Sequence, residues 1–230
     1  MAAFLLMSLT GRSQEIMASH YKKVLAIGAH PDDSEYMCSG TMMKLKDQGC
    51  EVVSVYFTRG EAGIKGKTHD EARKIREQEC LDACRIMGVR PVFMTQVDGS
   101  SEVNVERYDE MWELIEREKP DMVITHWPLD RHRDHRTCAI LVYDAWRRAG
   151  RSFDLYYTEV TTGYNTSNFN PTTYVDITGY HDRKCAAIQA HTSQRSEKYE
   201  TAEILMEEFR GLEYHCGYAE AFVKQAWTGE

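Results

Sequence analysis

Val24-Leu25-Ala26-Ile27-Gly28 runs directly into Ala29-His30-Pro31-Asp32-Asp33-Ser34-Glu35. The first five residues form an apolar run that suits a strand buried in a parallel sheet. The next seven gather a histidine and three carboxylates at the carboxyl end of that strand, the edge where open α/β sheets keep their ligand crevices. Pro31 fixes its own φ and pushes His30 toward an extended conformation, so the imidazole leaves the strand in a defined direction. Gly40-Thr41-Met42-Met43-Lys44-Leu45 then reads as helix. A second junction of the same kind lies far downstream. Met122-Val123-Ile124-Thr125 is another apolar strand, and the eleven residues from His126 to Arg136 that follow it hold three of the chain's nine histidines.

Between and beyond these junctions strand and helix alternate. Glu51–Thr58 is β-branched and aromatic and reads as a strand that opens into a glycine-marked loop, Arg59 to Gly66. Thr68 to Met87 carries Ala72, Ile75, Cys80, Ala83, Cys84 and Met87 at helical spacing and stops at Gly88. Pro91–Met94 is a short strand, Glu106–Glu118 a helix, Arg136–Arg148 a helix, and Leu155–Val160 a strand. Thr161 to Thr173 reads as a loop on the active-site side or an edge, Tyr174–Ile177 as a strand, and His181–Ala190 and Ser196–Phe209 as helices. The alternation calls for right-handed βαβ crossovers: an α/β, Rossmann-like, mostly parallel sheet with helices on both faces.

The 230 residues suit one domain, taken here as 21–230, behind a segment of 1–20. Met1–Leu9 reads as a short signal-peptide core or a dispensable extension. It lacks a basic start and Met17 offers an alternative beginning, so a cytoplasmic location is expected, with export if the segment is a signal peptide. A formal charge of −8 argues against a nucleic-acid surface, and no run reaches the length of a membrane span. Seven cysteines, an odd number without a disulfide framework, suit buried thiols in a reducing compartment. There is no Gly-x-Gly-x-x-Gly after the first strand, no phosphate loop and no Gly-x-Ser-x-Gly elbow, which removes the dinucleotide and serine-hydrolase signatures.

A catalytic zinc site needs about three protein ligands and an open position. His30, one of Asp32 or Asp33, and His135 or His132 would supply two imidazoles and a carboxylate, a set that binds Zn²⁺ and also Fe²⁺ or Co²⁺. The other carboxylate of the pair could then take the proton of a bound water. The free histidine could hold an oxyanion or protonate a leaving amine, and Asp134, next to His135, could orient a ring nitrogen from behind. Taken singly, each residue has a bland reading. Asp32 and Asp33 suit a helix N-terminus, His126 suits a core or rim position, and Arg131, Arg133 and Arg136 suit a solvated face. Their conjunction at two strand ends points to chemistry.

These residues resemble the LmbE-like, or PIG-L, family of metal-dependent N-deacetylases. Its Ala-His-Pro-Asp-Asp-x-Glu motif stands at Ala29 to Glu35, its His-x-Asp-His motif at His132 to His135 with Asp130 before it, and its Gly-Thr helix start at Gly40-Thr41. Its Thr-x-Gly-Glu loop is Thr58 to Glu61, and its late element is His191-Thr192-Ser193-Gln194. The resemblance implies that His30, Asp33 and His135 bind zinc, that Asp32 is the general base and that His132 stabilises the oxyanion. It also implies that Arg59 and Asp130 hold substrate, that His191 helps polarise the carbonyl, and that Asp134 and Glu35 support the ligands. The implied substrate is an N-acetylglucosamine-type sugar or glucosaminyl conjugate, and the implied assembly is a homo-oligomer. The sequence departs from the family pattern at Ala62–Thr68 and 161–171, where the acceptor side would be shaped. Three other readings stay open: a metal-stabilised sugar-binding protein without turnover, a hydrolase of another small amide, and a nucleotide-binding Rossmann protein.

Overall fold

The structure is a computed structural model that describes residues 14–16, 20–161, 164–195 and 197–227. Met1–Leu9 and Met17 lie outside the described residues. Eight strands form one sheet: β1 (Gln14–Glu15), β2 (Lys23–Gly28), β3 (Glu51–Thr58), β4 (Arg90–Gln96), β5 (Met122–His126), β6 (Asp154–Thr158), β7 (Thr173–Asp176) and β8 (Ala219–Lys224). Six helices accompany them: α1 (Asp33–Asp47), α2 (His69–Met87), α3 (Val105–Glu118), α4 (Arg133–Arg148), α5 (His181–Gln189) and α6 (Glu197–Tyr214). The spatial order is β1-β7-β8-β6-β5-β2-β3-β4. All neighbours pair in parallel except β8, which runs antiparallel to both β6 and β7.

Alternation along the central strands divides the apolar core in two. Val24 and Ala26 belong to one cluster with Met37, Met42, Cys80 and Cys84 from α1 and α2. Leu25 and Ile27 belong to the other, with Met111, Leu114, Leu141 and Val142 from α3 and α4. A strand buried on both faces has no polar position to give up, which is why β2 and β5 read as unbroken apolar runs. Chain order reverses between β2 and β5, since β3 and β4 lie to one side and β6 to the other. That reversal opens a crevice beyond the carboxyl ends of these two strands.

Two features differ from the sequence reading. Helix α1 begins at Asp33 rather than near Gly40, but Cys38 (φ −161°, ψ 22°) breaks it in two. Gly40 and Thr41 therefore open a second helical segment. Their N–H groups donate to Glu220 Oε1 and Oε2 at 2.9 and 2.7 Å, a cap delivered from β8. Strand β8 itself was not anticipated. Within 1–20, Gln14 and Glu15 pair with Thr173 and Tyr174 on β7, and Ile16 is buried, so the sheet includes part of that segment. Among the described residues, no helix is long and apolar enough to cross a membrane.

Candidate active site

The sharp exit from β2 builds the floor of the crevice. Thr58, next door on β3, donates its backbone N–H and its hydroxyl to Ala29 O (2.8 and 2.9 Å), which holds the strand end in place. Asp33 Oδ2 accepts the backbone N–H of His30 at 2.6 Å, closing the His30–Asp33 turn on its own side chain. Asp32, between them, sits at φ 106°. A non-glycine residue in that region costs about 1–3 kcal/mol and persists only where its surroundings enforce it, a pattern that concentrates at functional sites. Asp32 occupies the N-cap of α1 yet makes no side-chain capping bond, so its carboxylate is not engaged by the helix it precedes. The bland reading of Asp32 as a cap therefore does not describe it.

Three donors meet above this floor. His30 Nδ1 lies 3.2 Å from Asp33 Oδ2 and 3.3 Å from His135 Nε2, and His135 Nε2 lies 3.4 Å from Asp33 Oδ1. Ligands on a tetrahedral ion with bonds of about 2.0–2.1 Å are separated by roughly 3.3–3.4 Å, so these spacings suit a single small divalent cation. Each imidazole has a carboxylate behind its other nitrogen. Asp130 Oδ1 stands 3.1 Å from His135 Nδ1, as an ion-pair contact rather than an aligned hydrogen bond. Asp134 Oδ2 stands 3.1 Å from His30 Nε2, and Asp98 Oδ1 3.3 Å from the same nitrogen. Carboxylates so placed hold the ring and leave the inner nitrogen to face a metal.

Charge in the cluster is out of balance without a cation. Burial works against the imidazolium of His135, but Asp33 and Asp130 outweigh it and raise its pKa to about 9. His30 is likewise raised well above the ordinary range, where Asp134, Asp33 and Asp98 overcome burial. Burial would raise Asp33, but the charge of His135 and the contacts from His126 and His135 hold it well below the usual carboxylate range. Positive charge is called for here, and a divalent ion would take the place of these protons. Asp32 goes the other way: burial and the repulsion of Asp33 raise it, against the pull of Arg76 at 3.2 Å.

His132 is the N-cap of α4, and its Nδ1 accepts the N–H of Asp134 at 3.3 Å. Burial, and then the charges of His30 and His135, lower its pKa. A neutral ring that accepts at Nδ1 carries its proton on Nε2, a donor available to the cavity. His126 is fully buried at the end of β5, its Nε2 accepts Ala29 N–H at 2.8 Å, and its ring stacks on His135 with centroids 3.9 Å apart. Burial and the charge of His135 lower it to about 4, so it backs His135 as a neutral ring.

A cavity of about 300 Å³ opens over the cluster, lined at its base by His30, Asp32, Asp33, His132 and His135. Several residues expected here stand elsewhere. Asp130, read as a substrate contact, is 5% exposed and turned toward His135, His132 N–H (2.7 Å) and Thr166 Oγ1 (3.2 Å). Asp134, read as orienting a ring nitrogen, stands at His30 Nε2 and is fixed by Gly99 N–H (2.7 Å) and Ser101 Oγ (2.6 Å). Arg59 points away: its guanidinium goes to Glu77 and Met94 O and lies over the Phe93 ring. Glu35 is fully buried, accepting from Tyr56 OH (2.6 Å) and Ser34 Oγ (2.9 Å), and reaches none of the three donors. His191, 1% exposed and 3.5 Å from Glu35, is buried off the cavity lining. The arginines of the second junction tie loops together, Arg131 to Tyr164 O, Arg133 to Gly99 O and Arg136 to Asp130 O.

Two charged groups on the wall, Arg76 and Asp98, were not read from the sequence. Both left a signal. Arg76 falls on the apolar stripe of α2 between Ala72 and Cys80 and is 2% exposed, an unusual place for a guanidinium. Asp98 follows β4, the same sheet edge that delivers His30 and His126.

The fold agrees with comparison. The family profile described as PIG-L: GlcNAc-PI de-N-acetylase matches residues 25–146, and the chain belongs to that family. The diacetylchitobiose deacetylase of Thermococcus kodakarensis is 30% identical over 194 residues, 76% of this chain and 71% of its own. The N,N'-diacetylchitobiose deacetylase of Pyrococcus horikoshii superposes with a TM-score of 0.79 at 24% identity, covering 95% of this chain and 87% of that one. A 4-carboxy-2-hydroxymuconate hydratase from Pseudomonas putida superposes with a TM-score of 0.78 at 21% identity, covering 91% and 98%. The last two likenesses concern the fold alone, and the hydratase shows that the fold also hosts a different reaction.

Proposed function

We propose that this protein is a metal-dependent amidohydrolase that removes the acetyl group from an N-acetylglucosamine-type sugar, free or at the end of a conjugate. The observation that carries the reading is the mutual 3.2–3.4 Å spacing of His30, Asp33 and His135 with the uncapped carboxylate of Asp32 beside them. A divalent cation, Zn²⁺ by its preference for nitrogen and oxygen donors in this number, with Fe²⁺ or Co²⁺ able to replace it, would acidify a water and polarise the amide carbonyl.

The chain's own residues do the rest. Asp32, whose pKa is raised by burial and by Asp33, accepts the proton of the attacking water. The Nε2–H of His132 hydrogen-bonds the oxygen that becomes negative as the carbonyl turns tetrahedral. Asp32 returns its proton to the amine nitrogen as the C–N bond breaks, leaving acetate and a free amino sugar. Arg76 and Asp98, on the cavity wall, offer a donor and an acceptor to sugar hydroxyls. The sugar assignment rests on relatives whose names share it, acting on diacetylchitobiose, N-acetylglucosaminyl malate and an inositol glycoside.

Acetate release from N-acetylglucosamine derivatives tests the reading against a sugar-binding protein without turnover. Chelation should abolish release and Zn²⁺ or Co²⁺ should restore it. Asp32→Asn should retain metal and lose on the order of 10²–10⁴ in kcat. A fully active Asp32→Asn removes Asp32 as the base.

A further inference from the structure

A surface helix ordinarily turns its apolar stripe toward the core and leaves its charges to water. Helix α6 does the reverse. Its buried positions are Glu203, Glu207, Arg210 and Gly211, and their charges are matched inside the fold: Glu203 and Glu207 meet Lys184, and Arg210 donates to both carboxylate oxygens of Glu159 at 2.7 and 2.9 Å. Outward the helix presents Leu205 (59% exposed), Phe209 (54%) and Leu212 (72%), with half-buried Ala202 continuing the row toward its amino end. Single exposed apolar residues need no cause, but a contiguous row of large ones marks a contact surface.

The row has the spacing of a helix–helix seam. Ala202, Leu205, Phe209 and Leu212 recur at intervals of three, four and three, and the residues on the opposite side, Glu203, Glu207 and Arg210, are the ones the fold buries. The seam therefore faces away from the sheet. Charges at its two ends select the helix that covers it. Lys198, one turn before Ala202, lies over the Tyr164 ring at 4.3 Å and has no carboxylate at ion-pair distance among the described residues. Glu208, beside Phe209, likewise has no cation there. The two stand about 15 Å apart along the axis, too far to meet within one chain. A second α6 laid antiparallel brings Lys198 of each copy to the other's carboxyl-terminal half, where Glu208 is unpaired and Glu213 already accepts Arg210 Nη1 at 2.7 Å. The carbonyl end of a helix favours the same cation. A parallel pair would set acid against acid, and a helix lying on a lipid surface carries Lys and Arg along its flanks where this one carries Glu208 and Glu213.

We propose that the outward row of α6 is the interface between two copies of this chain, paired antiparallel about a twofold axis. The pairing does not depend on the chemistry of the cavity, but Tyr199, near the amino end of α6 and on the cavity lining, places the interface at the cavity's rim. One helix pair is a small interface, so dissociation falls in the micromolar range. Sedimentation velocity of the full chain between about 1 and 100 µM tests it. The parent should pass from monomer to dimer in that range. The double variant Leu205→Glu, Phe209→Glu should raise the dissociation constant roughly tenfold or more while its circular dichroism stays that of the parent. Lys198→Glu and Glu208→Lys should each weaken dimers alone and form them when mixed, because the mixed pair restores opposite charges at both ends. A parent that stays monomeric overturns the interface. In that event dimers that form once residues 1–13 are removed assign the face to the chain's own amino-terminal segment, and capture by phosphatidylcholine vesicles assigns it to lipid. A dimer untouched by the Leu205 and Phe209 changes also overturns it, and a mixture no more dimeric than its two components overturns the antiparallel arrangement.

Discussion

Asp130 and Asp134 look interchangeable in the sequence, two carboxylates flanking His132 and His135, yet the fold assigns them to different imidazoles. Helix α4 begins at Arg133, so Asp134 turns inward toward His30 while Asp130, before the helix, backs His135. Spacing along the chain gives the neighbours of a side chain only once the helix start is known, which is why the sequence alone does not say which imidazole Asp134 faces. Each carboxylate should contribute to metal affinity through the ring it holds. Asp130→Asn and Asp134→Asn should each weaken Zn²⁺ binding by roughly 10–100-fold in competition with a chromophoric chelator, and Arg59→Ala, engaged by Glu77 away from the cavity, should leave it unchanged. The three residues proposed as ligands stood out in the sequence because they lie at strand ends with few competing roles. Arg76 and Asp98 were not, because a helix stripe and a strand-end loop ordinarily hold such residues for structural reasons.

At the scale of elements, the central βαβ units were legible from periodicity alone, since strands buried on both faces are built mostly of apolar residues. The carboxy-terminal part was harder. Strand β8 carries Glu220 within Ala219–Lys224, and an acidic residue in so short a run argues against a buried strand. The fold resolves the conflict by using it: Glu220 is 4% exposed, accepts Gly40 and Thr41 N–H across the break at Cys38, and pairs with Lys184 Nζ at 2.8 Å. Gly40 is required there, because a Cβ would meet Ile177 side-chain atoms at 2.7 and 2.8 Å. Replacing Glu220 with Gln should lose part of the cap and one ion pair, lowering stability by about 2 kcal/mol in urea unfolding. A variant as stable as the parent would show that the second segment of α1 does not need this cap.

Across the whole molecule, the parallel half carries the candidate site and the Lys184 cluster binds the antiparallel half to it. Lys184, 1% exposed on α5, meets Glu203 (3.3 Å) and Glu207 (2.7 Å) of α6 and Glu220 of β8. One buried cation cannot satisfy three carboxylates, and burial, with the charge of Glu207 adding to it, raises Glu203 to about 8 despite Lys184. The folded state therefore holds a proton that the unfolded chain releases near pH 4.5. This contribution is full below that pH and is lost as pH rises toward 8. Glu203→Gln should remove it, so the stability difference between variant and parent should grow in the variant's favour from pH 5 to 8; a difference that stays flat would mean Glu203 is ionised in the fold. The account as a whole depends on His30, Asp33 and His135 closing around one ion. Metal content after loading with Zn²⁺ and dialysis tests this most directly. The account predicts about one equivalent per chain in the parent and in Asp32→Asn, and on the order of a tenth of that in His30→Ala and in His135→Ala. A full equivalent retained by both histidine variants, or none held by the parent, would contradict it.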